Sequence, residues 1–145
     1  SANVVSPVGP EVQKSPDEIH SLLRTTSREL MQSGESEEMA RSTLRAIFDK
    51  YVPLDLPDRD LQYRDNVLIP SVYIGVQRIV ESMVKNGEEL GRLGSFVSME
   101  DGNIRLGNGI DNIIATQLND NPDMTAQSVV DHVKRAEIRV VSNNQ

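Results

Sequence analysis

Apolar residues recur every three or four positions along most of this chain, and this spacing places them on one face of an α-helix. The stretch from Pro70 to Asn86 shows the pattern most clearly and ends at Gly87, so it predicts a central helix. Four further helices are predicted at Pro16 to Gly34, Ser36 to Tyr51, Asp111 to Leu118 and Thr125 to Ala136.

Two local signals mark where regular elements begin or turn. Ser15 to Glu18 forms a capping box, in which a serine hydroxyl and a glutamate three residues later satisfy free amides at a helix start. Asp101-Gly102 suits a type I′ turn and predicts a β-hairpin near residues 95–106. Residues 138–141 fit either a late strand or an extension of the last helix. The predicted fold is mainly α, helix-rich α+β at most: a compact bundle of about five helices with one small hairpin.

An acidic segment follows the second predicted helix, where Pro53 and Pro57 end the helical pattern. It is either a loop or a short helix ending before Pro70. Its carboxylates could bind a hard cation, but their spacing matches no calcium loop, and a solvated loop with Arg59 and Arg64 as counter-charges is favoured. The carboxylates are those of Asp55, Asp58, Asp60 and Asp65.

The predicted domain organisation is an extended arm at residues 1–14, a single helical domain at 15–141 and a frayed tail at 142–145. The arm mixes valine with proline and glycine and shows no helical period. Extended apolar arms often dock on partners, so its valines are candidate interaction residues. They are Val4, Val5, Val8 and Val12.

Composition excludes several classes of function. The chain has no cysteine, which rules out disulfides, thiolate metal sites and cysteine nucleophiles. Aromatic residues make up 3 % and the net charge is −7, which disfavours both base stacking and phosphate binding. The one basic cluster, Lys134, Arg135 and Arg139, lies at the predicted end of the last helix. The helix dipole explains it there, and weak nucleic-acid contact is the alternative.

No motif predicts catalysis, a cofactor or a metal. His20 and His132 lie on different predicted helices, and neither has another His, Asp or Glu four residues farther on. Asp17 lies three residues before His20 and Asp131 lies beside His132, but such neighbours are expected by chance in an acidic chain. Gly107-Asn108-Gly109 before a helix has the form of an anion-binding loop, but it lacks the further glycine and the lysine that such loops use. An enzyme alternative remains, a small hydrolase or metal-dependent enzyme in which folding brings His132 close to Asp55, Asp58 and Asp60.

The sequence therefore predicts a non-enzymatic protein–protein interaction or assembly module, such as an adaptor or a structural factor. Self-association as a homodimer is expected, together with an unidentified protein partner. No apolar run approaches the length of a membrane span, so no membrane partner is expected, and the predicted location is cytoplasmic or intravirion. A viral or phage accessory role is a hypothesis that no particular residue supports.

Overall fold

The computed structural model describes residues 14–107 and 109–143, and it describes side chains as far as residue 135. Over these residues the protein is mainly helical with one small antiparallel hairpin, which confirms the predicted fold class. The predicted number of about five helices compares with six α-helices among the described residues. They are α1 (Pro16–Gln32), α2 (Glu37–Tyr51), α3 (Arg59–Tyr63), α4 (Ile69–Lys85), α5 (Ile110–Asp120) and α6 (Ala126–Asn143).

Four shorter elements complete the described chain. A 3-10 segment at Gly91–Phe96 and the hairpin strands β1 (Val97–Glu100) and β2 (Asn103–Leu106) lie between α4 and α5, and a π-helical segment at Arg64–Leu68 joins α3 to α4. The chain forms two compact units, which divide between Ser71 and Val72. The predicted arm, single domain and tail stay predictions. Residues 1–13, with the four arm valines, lie outside the described residues.

The first unit is built on α1 and α2. Ser15 Oγ accepts from the Glu18 amide at 3.1 Å and Glu18 Oε1 accepts from the Ser15 amide at 2.9 Å, so the predicted capping box is confirmed. Gly34, with φ +79°, follows the end of α1 in a conformation that favours glycine. The two helices pack on each other through a core that also includes the π segment, and its buried residues are Ile19, Leu23, Leu44, Phe48, Val52 and Val67.

The central helix begins earlier than the sequence predicted. Helical structure runs without a break from Arg59 to Lys85, although Pro70 was expected to separate a loop or short helix from the central helix. A proline inside an α-helix clashes with a carbonyl one turn back. The π segment ends at Leu68, two residues before Pro70, and its wider turn gives the proline ring room and lets the helix continue.

The second unit contains the rest of α4, the hairpin, α5 and α6. Asp101 (φ 52°) and Gly102 (φ 81°) form the turn, which confirms the hairpin prediction, while the first strand begins at Val97 instead of Ser95. Side chains of α4 bond the carbonyls of β2. Tyr73 Oη donates to Leu106 O at 3.2 Å, and Gln77 Nε2 donates to Ile104 O at 2.9 Å.

The last helix is longer than predicted. α6 continues to Asn143, so residues 138–141 extend a helix and the alternative of a late strand is wrong. Lys134 and Arg135 consequently lie in the middle of α6, and no basic residue occupies its last turn. The helix dipole acts mainly on the terminal turn, so it does not explain this cluster as the sequence suggested.

Candidate interaction surface and polar relay

Two of the three residues predicted for nucleic-acid contact have described side chains. Lys134 is half-buried and Arg135 is exposed on α6, while the side chain of Arg139 lies outside the described residues. Both described cations share α6 with Asp131, whose carboxylate accepts from Gln127 Nε2 at 3.0 Å.

His132 and the aspartates of the enzyme alternative, Asp55, Asp58 and Asp60, belong to no candidate metal site among the described residues. No group of three or more His, Asp or Glu side chains there could hold a metal ion. Asp58 accepts from Gln62 Nε2 at 3.2 Å, and Asp65 pairs with Arg64 at 3.6 Å. These partners are local, which is the arrangement expected for a solvated acidic segment.

The glycine-rich loop before α5 has a structural explanation. Gly109 has φ +106°, a backbone conformation that favours glycine, and a Cβ at this position would lie only 3.2 Å from Cε1 of Phe96, which would have to shift. Close to α4, desolvation raises the pKa of Asp111. Desolvation, followed by the Asp111 charge, raises the pKa of Tyr73. An acidic group at this helix start disfavours a bound phosphate. Asn108 lies outside the described residues.

Two leucines are exposed on the acidic segment. Leu54 is 61 % exposed and Leu61 is 49 % exposed. Leu54 lies in the first of two consecutive tight turns, at residues 53–56 and 56–59, and Leu61 lies in the α3 helix that follows them. The residues between them that also face solvent are polar or proline. We call this strip the Leu54–Leu61 surface, and its exposed members are Pro53, Leu54, Asp55, Pro57, Asp58, Asp60 and Leu61.

The two inward residues of the strip fix it to the core of the first unit. Leu56 packs against the buried cluster around Phe48. The Arg59 guanidinium lies over the Phe48 ring, 5.0 Å from its centroid, and donates to Asp49 at 3.2 Å. Because Leu56 and Arg59 take the inward positions, Leu54 and Leu61 are held outward in a defined arrangement.

A chain of hydrogen bonds begins at this surface and ends on α1. Gln62 Nε2 donates to Asp58, and Asn66 Nδ2 donates to both oxygens of Gln62, to Oε1 at 3.2 Å and to the backbone O at 2.8 Å. Asn66 Oδ1 lies 2.9 Å from Nδ1 of His20. We call these four residues the relay.

Asn66 is the buried member of the relay. It is 7 % exposed and lies in the π segment, whereas His20 and Asp58 at the two ends are exposed. Buried amides are normally fully hydrogen-bonded, and Asn66 meets that requirement through Gln62 and His20. Sequence reasoning missed Asn66 because the widened turn that brings it inward has no simple sequence signature.

One helix has the length and composition of a membrane span. It is the run Arg59–Lys85, whose best window is half buried within the protein, as a core helix of a soluble protein also is. The expectation that no apolar run approaches the length of a membrane span was therefore wrong. A single helix of this kind is only weak support for a membrane role.

Comparison of the chain with protein-family models, curated proteins and solved structures finds no match in any of the three.

Proposed function

We propose that this protein is a non-enzymatic protein–protein interaction module that binds its partner through the Leu54–Leu61 surface. The observation that carries the proposal is the outward position of two leucines on a strip fixed by Leu56 and Arg59. Burying a leucine side chain contributes about 1.5–3 kcal/mol, and a surface that is already ordered spends less conformational entropy on binding. Exposed leucines at fixed positions therefore favour association.

The charge of the surface indicates the chemistry of the partner. Asp55, Asp58 and Asp60 are exposed around the leucines, and Arg59, the cation of the strip, is turned toward Phe48 and Asp49. A partner with apolar side chains flanked by lysine or arginine would bury the leucines and bring opposite charges together. A basic amphipathic helix has this chemistry.

Two-fold self-association through this same surface is disfavoured, because it would bring the three aspartates of one copy against those of the other. The homodimer predicted from sequence stays a prediction. If it forms, we expect it to use another surface. Light scattering after size exclusion tests it. If the wild-type protein has the mass of a dimer and Leu54→Ser/Leu61→Ser has the same mass, then dimerisation does not use the Leu54–Leu61 surface.

The proposal is tested with a labelled, helical leucine–lysine peptide of about 18 residues, which is roughly 27 Å long. A scrambled peptide of the same composition is the control for charge alone. We expect the helical peptide to bind, with anisotropy falling off as salt is raised, and to shift the amide resonances of residues 54–61. Equal binding of both peptides, or resonance shifts that lie elsewhere, would contradict the proposal.

Matched variants separate this surface from exposed apolar residues in general. Leu54→Ser/Leu61→Ser should weaken binding of the helical peptide about tenfold or more, since about 1 kcal/mol of burial is lost at each position. Met99→Ser is the control, because Met99 is 60 % exposed but lies on β1 in the second unit. An equal loss for Met99→Ser would indicate non-specific adsorption.

A further inference from the structure

The relay has a direction that its atoms determine. Asn66 Nδ2 lies 2.8 Å from the backbone carbonyl of Gln62, and a backbone carbonyl can only accept a hydrogen bond. The carboxamide of Asn66 is therefore oriented with its nitrogen toward Gln62 and its oxygen toward His20. Because that oxygen also only accepts, the bond to His20 requires a proton on Nδ1 of the imidazole.

A neutral imidazole with its proton on Nδ1 has a free lone pair on Nε2. His20 is exposed, and no hydrogen bond joins its Nε2 to any residue that the structure describes. A ring nitrogen fixed in this way, by a hydrogen bond on the opposite side of the ring, is the arrangement that proteins use to present imidazole as a directed ligand or acceptor.

We infer that Asn66 positions His20 as a specificity-determining residue, whose Nε2 accepts a hydrogen bond from an N–H or O–H group of the bound partner. The inference rests on the proposed function for the identity of the partner, although the tautomer of His20 does not depend on it. Asp58 belongs to the Leu54–Leu61 surface, and Asn66 lies two helical turns farther along, roughly 11 Å by helix pitch. A helical partner of 18 residues, roughly 27 Å long, is long enough to contact both the Leu54–Leu61 surface and His20, which is bonded to Asn66.

The composition of the strip and the relay supports a basic donor. Asp55, Asp58 and Asp60 already favour lysine or arginine, and the ammonium and guanidinium groups of these residues carry only donors. A partner that places one such donor two turns beyond its apolar contacts would satisfy Nε2 of His20. A partner without a donor there would leave the imidazole nitrogen desolvated and unpaired, which costs affinity.

The tautomer is tested on the protein alone, by long-range proton–nitrogen NMR of its two histidines at a pH where both are neutral. We expect His20 to carry its proton on Nδ1 in the wild-type protein and in Gln62→Met, because the backbone carbonyl that orients Asn66 remains. Asn66→Leu removes the acceptor and should release His20 to the tautomer mixture of free imidazole. A proton on Nε2 in the wild-type protein would overturn the inference.

Asn66→Asp keeps the tautomer measurement informative if Asn66→Leu does not fold. Its carboxylate still accepts from Nδ1, so His20 should keep the Nδ1 proton. His132 is the internal control in every sample, since it is not part of the relay, and it should be the same in all variants.

The binding role is tested with the same leucine–lysine peptide. His20→Phe removes the acceptor and keeps a flat ring, and we expect about five- to tenfold weaker binding. Unchanged affinity for His20→Phe, together with weakened binding by Leu54→Ser/Leu61→Ser, would overturn the role of His20 and leave the proposed function standing. Failure of the wild-type protein to bind the peptide at all would contradict the proposed function itself.

Discussion

Replacing Phe48 by leucine tests whether aromatic contacts hold α3 and its exposed strip in place. Phe48 is fully buried, and its ring meets that of Tyr63 edge-on, with centroids 5.2 Å apart and planes at 74°. Arg59 lies over the same ring at 5.0 Å. Leucine keeps the site apolar but removes both ring contacts, so most of the expected loss comes from those contacts and a smaller part from lost buried volume.

The expected loss of stability is the sum of three contributions. An edge-on aromatic pair contributes about 0.5–1.5 kcal/mol, and a cation over a ring about 0.5–1 kcal/mol. The lost ring volume adds roughly 1 kcal/mol. Phe48→Leu should therefore lower the free energy of unfolding by about 2–3.5 kcal/mol. Urea denaturation followed by circular dichroism measures it, since the chain has no tryptophan to report by fluorescence.

A double-mutant cycle with Tyr63→Leu isolates the ring pair. We expect a coupling energy of about 1 kcal/mol between Phe48 and Tyr63. Tyr63→Phe is the matched control, because it keeps the ring and should leave that coupling intact. Additive effects of Phe48→Leu and Tyr63→Leu, to within about 0.3 kcal/mol, would refute the reasoning and mean that the rings are only neighbours.

Three further predictions concern the pKa shifts and the hairpin turn. Asp111→Asn should move the ionisation of Tyr73 to lower pH in an absorbance titration, because the Asp111 charge helps to raise the pKa of Tyr73. The hydrogen bond from the Ser15 amide lowers the pKa of the Glu18 carboxyl. The stability that ionised Glu18 contributes is therefore present above the ordinary carboxyl pKa and is lost as pH falls through the folded-state pKa. Glu18→Gln should flatten this dependence of stability on pH in acid-unfolding curves. Gly102→Ala should destabilise the protein by about 1 kcal/mol in urea, because φ is +81°, whereas an unchanged midpoint would contradict a strained turn.

Parts of the fold could be predicted because their determinants are adjacent in sequence. A capping box needs only Ser15 and Glu18, and a type I′ turn needs only Asp101 and Gly102, so both predictions are confirmed. The end of α6 could not be predicted in this way. The apolar and polar residues at positions 138–141 fit both the two-residue period of a strand and the 3.6-residue period of a helix, because four residues are too few to distinguish the two.

Pro70 and Asn66 show why the site was missed. Proline predicts a break in an α-helix, but a π turn lets the helix continue, and whether one forms depends on packing that local sequence does not reveal. The same widened turn carries Asn66 into the interior, 46 positions from its partner His20 in sequence. From the sequence alone, the nearest plausible partner of His20 was Asp17. A long-range hydrogen bond of this kind needs the fold before it can be seen.

Arg59 changes what the acidic segment can do. Counted along the sequence, Arg59 and Arg64 offset the aspartates of the segment and leave an ordinary solvated loop. In the structure, Arg59 turns toward Phe48 and Asp49, and Arg64 pairs with its neighbour Asp65.

The charge that remains on the outward side of the strip is then carried by Asp55, Asp58 and Asp60, and no ion pair within 4.0 Å joins them to a cation among the described residues. Because Arg59 is held against Phe48, the surface is more acidic than the count of charged residues in the segment suggests. Phe48→Leu, by releasing Arg59, should therefore weaken the affinity of the leucine–lysine peptide as well as the stability of the unit. The structural contact and the proposed binding chemistry thus depend on the same side chain.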